Sequence, residues 1–261
     1  MPPIALISDF GIQDWFVGEM KGVILSILPE ASIVDITHQI APADIRTAAF
    51  MLLACYSSFP PGTVFCSAVD PGAGSNRRAL AIKCGSYFLV GPDNGCLTWV
   101  TQRTEDVQYY SISDGKFSKT KNSTFSGRDL FGPVAAYIAS GVAITEFGPQ
   151  VFDPVNIPFP KTHITEYGSV CGEIIFIDRF GNAVTNIESR LIENAPFNSL
   201  RISNGTELPF HAFYQEVKPG QAMAYCGSAG FIEIAMNRAS ASSQMHLSPG
   251  EIVEVLHLKA Q

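Results

Sequence analysis

Thr63-Val64-Phe65-Cys66-Ser67-Ala68-Val69-Asp70-Pro71-Gly72-Ala73-Gly74-Ser75-Asn76-Arg77-Arg78 is an apolar run, rich in β-branched residues, that stops at a carboxylate. It then turns through a proline and two glycines and delivers two arginines. The pattern predicts a strand emptying into a loop that holds charges. Two readings are open from these residues alone: a strand end capped by a salt bridge, or the charged edge of a site. What the other strands bring to the same edge decides between them.

Immediately upstream, Ala43–Phe59 predicts a helix, opened by Ala43-Asp44, apolar nearly all round and closed by Pro60-Pro61-Gly62. Further back, Ile4–Ile7 is a short buried strand ending at Ser8-Asp9-Phe10-Gly11, so Asp9 sits at a strand's carboxyl end. From Asp14, the positions Phe16, Val17, Met20, Val23, Ile24, Ile27 and Leu28 recur at helical spacing until Pro29, and Ser32–Thr37 is a second strand. This strand-helix-strand unit predicts a parallel sheet with a right-handed crossover. Asp9 and Asp70 then share one sheet edge. Ligands of open α/β sheets lie outside the carboxyl ends of the strands, which favours a site there.

Downstream, Ala79–Ile82 and Tyr87–Val90 are short strands around Cys84-Gly85-Ser86. They lead to the turn-rich Gly91-Pro92-Asp93-Asn94-Gly95, where Asp93 and Asn94 are expected as turn formers. Val107–Ile112 is a further strand, and Ser111–Ser123 is expected as an exposed loop. Thr124-Phe125-Ser126-Gly127-Arg128-Asp129 precedes a helix over Leu130–Ala139, with Arg128-Asp129 in its first turn, where an aspartate suits the amino end. Prolines at 149, 154, 158 and 160 without helical period mark a domain boundary. Beyond it, 170–177, 200–202, 221–225, 231–235 and 252–256 read as strands of a small β-barrel or sandwich. The predicted architecture is an α/β amino-terminal domain over 1–155, with a largely parallel sheet flanked by helices, and a smaller β-barrel-like domain over 165–261.

The 261 residues are 46% hydrophobic and 16% charged, enough for one large core or two smaller ones. A net charge of -7 and no basic cluster longer than Arg77-Arg78 argue against a nucleic-acid surface and tolerate a cationic small molecule. The six cysteines lack C-x-x-C spacing and read as reduced, buried fillers. The start Met1–Asp9 has no basic n-region, and no apolar run approaches membrane-spanning length, so a cytoplasmic location is expected with no membrane partner. The phosphate-binding loop, the hydrolase nucleophile elbow and the dinucleotide glycine fingerprint are all missing. The five histidines have no metal-ligand spacing, so no metal is expected.

Five strings in order carry a resemblance. They are Ser8-Asp9-Phe10-Gly11 with Asp14, Val17-Gly18 and Lys21-Gly22; Asp35-Ile36-Thr37-His38 with Pro42 and Asp44; Val69–Gly74 with Arg77-Arg78; Ile177-Asp178-Arg179-Phe180-Gly181-Asn182 with Thr185-Asn186; and Gly227–Ala235 with Asn237. Together they resemble the S-adenosylmethionine hydroxide adenosyltransferases, relatives of fluorinase and chlorinase, over nearly the whole chain. The resemblance implies that water or hydroxide displaces methionine from ribose C5′ of S-adenosyl-L-methionine, leaving adenosine. It implies a homotrimer with each site shared between neighbouring subunits, and no cofactor beyond the substrate itself.

Carried over by position, the resemblance implies that Asp9 holds the ribose hydroxyls and that Asp70 with Arg77 binds and polarises the attacking water. Phe125 would contact substrate, Asp178 the methionine ammonium, Phe180 and Asn182 the adenine, and Ser228 with Ala229 the methionine part. Halogenases carry a tyrosine at the position of Asp70, so the carboxylate argues for oxygen rather than halide as nucleophile. Ser126 stands where the hydrolases have a histidine, and Ala43 where halogenases have an aromatic residue. A serine neither carries charge nor buffers a proton near neutral pH. Two alternatives therefore stand beside hydrolysis: an adenosyl-ligand binding protein with little turnover, and a related C5′ transferase using another nucleophile.

Overall fold

Ile4–Ser8 (β1) and Val64–Ala68 (β3) are buried at every position, as expected of strands covered on both faces. They pair in parallel, with Ile33–Thr37 (β2) on the outer side of β1. Between β1 and β2, Phe16–Ile27 (α1) buries Met20, Val23 and Ile24, and its last turn gives way before Pro29. Between β2 and β3, Ile45–Cys55 (α2) is capped by Asp44, whose Oδ1 accepts from the Thr47 N–H at 2.9 Å. The computed structural model describes residues 1–113, 115–117, 124–192 and 197–257. The chain divides into two compact units, Met1–Pro158 and Phe159–Gln261.

The first unit continues with Ala79–Cys84 (β4), Tyr87–Pro92 (β5), Thr98–Thr101 (α3), Val107–Ser111 (β6), Gly132–Ala139 (α4) and Gln150–Val151 (β7). Its seven strands run in the order β2-β1-β3-β5-β4-β6-β7. The sheet is mixed, and the expected parallel arrangement holds over its first four strands. Strands β2, β1, β3 and β5 are mutually parallel, whereas β4, β6 and β7 join antiparallel to their neighbours. The cause is local. Gly85 and Ser86 connect paired Cys84 and Tyr87, with Gly85 at φ 57, and a two-residue turn permits only a hairpin.

Two further expectations change. Phe117, placed by sequence in an exposed loop, is buried among Phe147 and Tyr137, with ring centroids at 4.6 and 5.1 Å. Asp114 and 118–123 of that loop lie outside the described residues. Of the cysteines, Cys66, Cys84 and Cys96 are buried, Cys55 and Cys171 half-buried, and Cys226 exposed where its strand runs into a turn. Burial pushes the Cys55 thiol up to about 11 and the Cys96 thiol up to about 12, so both stay protonated.

The second unit comprises His163–Ile164 (β8), Val170–Ile177 (β9), Ala183–Glu188 (β10), Phe197–Ile202 (β11), Glu207–Pro209 (β12), Ala222–Cys226 (β13), Phe231–Met236 (β14), Ala241–Met245 (α5) and Ile252–His257 (β15). Its strands run β12-β11-β15-β9-β10-β14-β13, every pair antiparallel, with β8 beside β9. A bridge between Phe210 and Ala224, reinforced by His211 N–H to Ala224 O at 2.9 Å, brings the two ends together into a nearly closed barrel. Val170, Ile174, Ile187, Leu200, Ile232, Ile234, Val253 and Val255 fill it. No helix among the described residues is long and apolar enough to cross a membrane.

Candidate active site

The parallel half of the first sheet delivers a carboxylate from three adjacent strands to one edge: Asp9 after β1, Asp70 after β3 and Asp93 after β5. Asp70 is the most elaborated. Arg77 Nε donates to its Oδ1 at 2.6 Å, Arg77 Nη2 donates to its Oδ2, and the Gly72 N–H donates to Oδ1 at 3.2 Å. The Asp70 side chain is only 6% exposed, so this fork-to-fork pair is shielded from water. The Arg77 guanidinium stands over the Phe131 ring at 5.2 Å, and its Nη1 reaches Arg78 O at 3.3 Å.

Arg77 Nη2 also donates to Ser126 Oγ at 3.0 Å, so the structure assembles Asp70, Arg77 and Ser126. Ser126 is buried at the entry to a π-helical turn, Gly127–Phe131, that runs into α4. Arg128-Asp129 therefore belongs to this turn rather than to the first turn of α4, and the two residues pair with each other at 2.7 and 2.8 Å. Beside Ser126, the Phe125 ring meets Phe10 and Phe16 edge-on, with centroids at 5.4 and 5.2 Å, and carries Arg128 on its face at 5.0 Å. Gly127 permits this packing, because a Cβ there would lie 2.9 Å from Phe10 Cζ.

Asp9 is half-buried, and its Oδ2 accepts from the Ala43 N–H at 2.9 Å. Ala43 holds φ 67, a left-handed conformation that costs a residue with a Cβ about 1–2 kcal/mol. Next to Asp9, buried Ser8 and His38 share a 2.6 Å hydrogen bond, and Asp35 sits between His38 Nε2 at 3.1 Å and Lys21 Nζ at 2.6 Å. Burial alone would raise the Asp35 carboxyl, but its Lys21 and His38 partners outweigh that and hold it below its ordinary value. This chain ties the ends of β1 and β2 together behind Asp9. Asp93 is a structural anchor more than a turn former: it is buried, paired with Arg78 at 2.8 Å, and accepts from the Val155 N–H at 2.7 Å. Asn94 does form the turn, accepting from Cys96 N–H at 3.1 Å while donating to Val69 O at 3.0 Å.

In the second unit, Asp178, Phe180 and Asn182 occupy one turn between β9 and β10. Asp178 Oδ1 accepts from the Phe180 and Asn182 N–H groups, each at 2.8 Å, and its Oδ2 accepts from Asn182 Nδ2 at 2.8 Å. Phe180 is 77% exposed, whereas Asn182 is buried. Phe180 and Asn182 line a cavity of about 450 Å³ with Tyr214, Met236, Arg238 and Ala239. Ser228 and Ala229 lie on the tight turn from β13 to β14, closed by Gly230 N–H to Gly227 O at 3.0 Å. Sequence reasoning missed Tyr214, Tyr225 and buried Glu233, which hydrogen-bond in a row ending at Asn182. Only the polar residue between Ile232 and Ile234 in an otherwise apolar strand signalled them.

Two family models match the chain. The SAM hydroxide adenosyltransferase N-terminal domain matches residues 4–148, and the corresponding C-terminal domain matches residues 172–254. A protein of Thermus thermophilus named (R)-S-adenosyl-L-methionine hydrolase is 34% identical, with 98% of this chain and 100% of the relative covered. One of the same name from Salinispora arenicola is 32% identical over 97% of both chains. A fluorinase of Nocardia brasiliensis is 29% identical, covering 97% of this chain and 96% of its own. A crystal structure of a conserved protein from Thermotoga maritima superposes with a TM-score of 0.91 at 32% identity, covering 97% of this chain and 100% of that one. With both domain models matched in order and full-length relatives above 30% identity, the chain belongs to the SAM hydroxide adenosyltransferase family.

Proposed function

We propose that this enzyme hydrolyses S-adenosyl-L-methionine at ribose C5′. A water oxygen forms a bond to C5′ as the C5′–S bond breaks. The bond's electron pair neutralises the sulfonium to the thioether of L-methionine, and one proton leaves the attacking water to give adenosine. The observation that carries this reading is the shielded Asp70–Arg77 pair at the carboxyl edge of the parallel strands. A cationic sulfonium is already a good leaving group, so the work left to the protein is aligning the nucleophile and excluding competing water. Asp70 accepts from the water and Arg77 favours its ionised form, while the Ser126 hydroxyl oxygen accepts a further N–H of the arginine.

In the same reading, Asp9 takes the ribose hydroxyls with the carboxylate that holds Ala43, and Phe125 packs against the substrate. Phe180 and Asn182 take the adenine, Asp178 the ammonium, and Ser228 with Ala229 the rest of the methionine. The sulfonium epimer is proposed to be (R), after the names of the hydrolase relatives. No cofactor is assigned. The assembly is proposed to be a homotrimer with sites shared between subunits.

The test is incubation of purified protein with the resolved (R) and (S) epimers in ¹⁸O-labelled water. Adenosine and methionine in equal amounts, with the label in the 5′-hydroxyl, are expected from the (R) epimer. Absence of adenosine overturns the reading, and product that depends on added chloride supports another nucleophile. Light scattering of the eluting protein checks for the trimer, and a monomer would remove the shared-site proposal.

A further inference from the structure

Two carboxylates bracket one row of hydrogen bonds in the second unit. Asp178 and Glu233 stand at its ends, and among the described residues neither pairs with a cation. A carboxylate only accepts, which fixes the direction of every bond between them. Tyr225 donates its hydroxyl to Glu233 Oε2, so its oxygen is left to accept from the Tyr214 hydroxyl at 2.9 Å. The Tyr214 oxygen in turn accepts from Asn182 Nδ2 at 3.3 Å, and the other N–H of that amide goes to Asp178 Oδ2 at 2.8 Å.

Asn182 therefore has both N–H bonds committed, and its Oδ1 is the atom of that amide left to meet a ligand in the adjoining cavity. The far end of the row is firmly placed. Glu233 lies between fully buried Ile232 and Ile234, and its Oε1 packs directly on Gly227, where a Cβ would come within 1.9 Å.

We propose that Glu233 and Tyr225 are positioning residues that, through Tyr214, hold the Asn182 carbonyl oxygen toward the cavity and make the site select a 6-amino purine over a 6-keto purine. This rests on the adenosyl reading above. An amino group brings an N–H donor to Oδ1, whereas a keto oxygen would face it acceptor to acceptor and leave both unpaired. An amide free to flip would present N–H groups instead and accept either base.

The test is calorimetric binding of adenosine and inosine to the full chain, which needs no turnover. Failure to hydrolyse S-adenosylmethionine would thus overturn the proposed reaction without touching this inference. The parent protein is expected to bind adenosine about 100-fold more tightly than inosine, or better. Tyr225→Phe and Tyr214→Phe remove one hydroxyl each and should bring the ratio within about 10-fold, mainly by gaining inosine. Glu233→Gln keeps an acceptor for Tyr225 and should retain the preference. An unchanged ratio in both phenylalanine variants, an equal loss for both nucleosides, a lost preference in Glu233→Gln, or a parent protein that binds the two alike or binds neither would each overturn the proposal.

Discussion

Arg77 meets the two oxygens of Asp70 with two different nitrogens, Nε on Oδ1 at 2.6 Å and Nη2 on Oδ2. A planar fork of this kind fixes the plane of the carboxylate as well as its charge, and the plane decides where its remaining lone pairs aim. Arg77→Lys keeps the charge and loses the fork. Adenosine release by this variant is expected to fall about 100-fold or more, with Asp70→Asn at least as damaging because its amide would turn an N–H toward Arg77. Loss of less than about 3-fold in Arg77→Lys would show that charge alone suffices.

Ser126 meets the pair at Arg77 Nη2, which also donates to Asp70. Removing its hydroxyl leaves the fork in place. Ser126→Ala should therefore slow adenosine release by about 10-fold or less, on the scale of one hydrogen bond. A loss as large as that of Arg77→Lys, measured in the same assay, would mean that the hydroxyl meets the nucleophile itself.

Asp9 and Asp70 were legible in the sequence because a buried parallel strand is an unbroken apolar run, and the first carboxylate after it must lie at the strand's end. The antiparallel half of that sheet was less legible, since short apolar runs carry no sign of direction until a two-residue connection such as Gly85-Ser86 is given its geometric consequence. Glu233 was hidden for another reason. It sits in a strand buried on both faces, where alternation gives no inward or outward direction, and its partners Tyr225 and Tyr214 reach Asn182 only through the curl of the barrel. Phe117 was misplaced because the polar residues around it outweighed one aromatic ring that finds Phe147.

Ala43 gives a prediction on the strain held beside Asp9. At φ 67 a glycine avoids the Cβ penalty, although it also frees the unfolded chain. Ala43→Gly should leave stability unchanged or raise it by up to about 1 kcal/mol in urea titration. A clear destabilisation would show that the Ala43 methyl group has a packing role that outweighs the backbone.

Gly181 lies in the turn that carries Asp178 and Asn182, at φ 84, and a Cβ there would stand 2.9 Å from the Ser240 backbone Cα and nearer still to its side chain. Conformation and space both forbid a larger residue. Gly181→Ala is expected to destabilise the chain by about 2–3 kcal/mol, read as a lowered urea midpoint. It should also weaken adenosine binding, because the turn that presents Asn182 must move.

Glu233 sets the last prediction. Burial raises its carboxyl above the ordinary value of 4.5; the Tyr225 hydroxyl opposes the rise and the nearby Asp178 charge adds to it. The folded chain thus holds this proton more tightly than the unfolded chain. Its contribution to stability is fully present below pH 4.5 and is lost as pH rises through the folded value. Asp35 and Asp153, the latter held by Arg78 Nη1 at 2.6 Å, have the opposite sign, their carboxyls being held down by their cationic partners, so they favour the folded state above their ordinary values and lose that contribution in acid. They act equally in parent and variant and cancel in the comparison. Glu233→Gln removes the titration while keeping an acceptor for Tyr225. The variant should melt above the parent at pH 7, with the gap narrowing as the pH falls through the folded value of Glu233 toward 4.5. A gap that stays constant across that window, in melting curves recorded side by side, would mean that the Glu233 carboxyl titrates alike in the folded and unfolded chains and that its burial does not raise it.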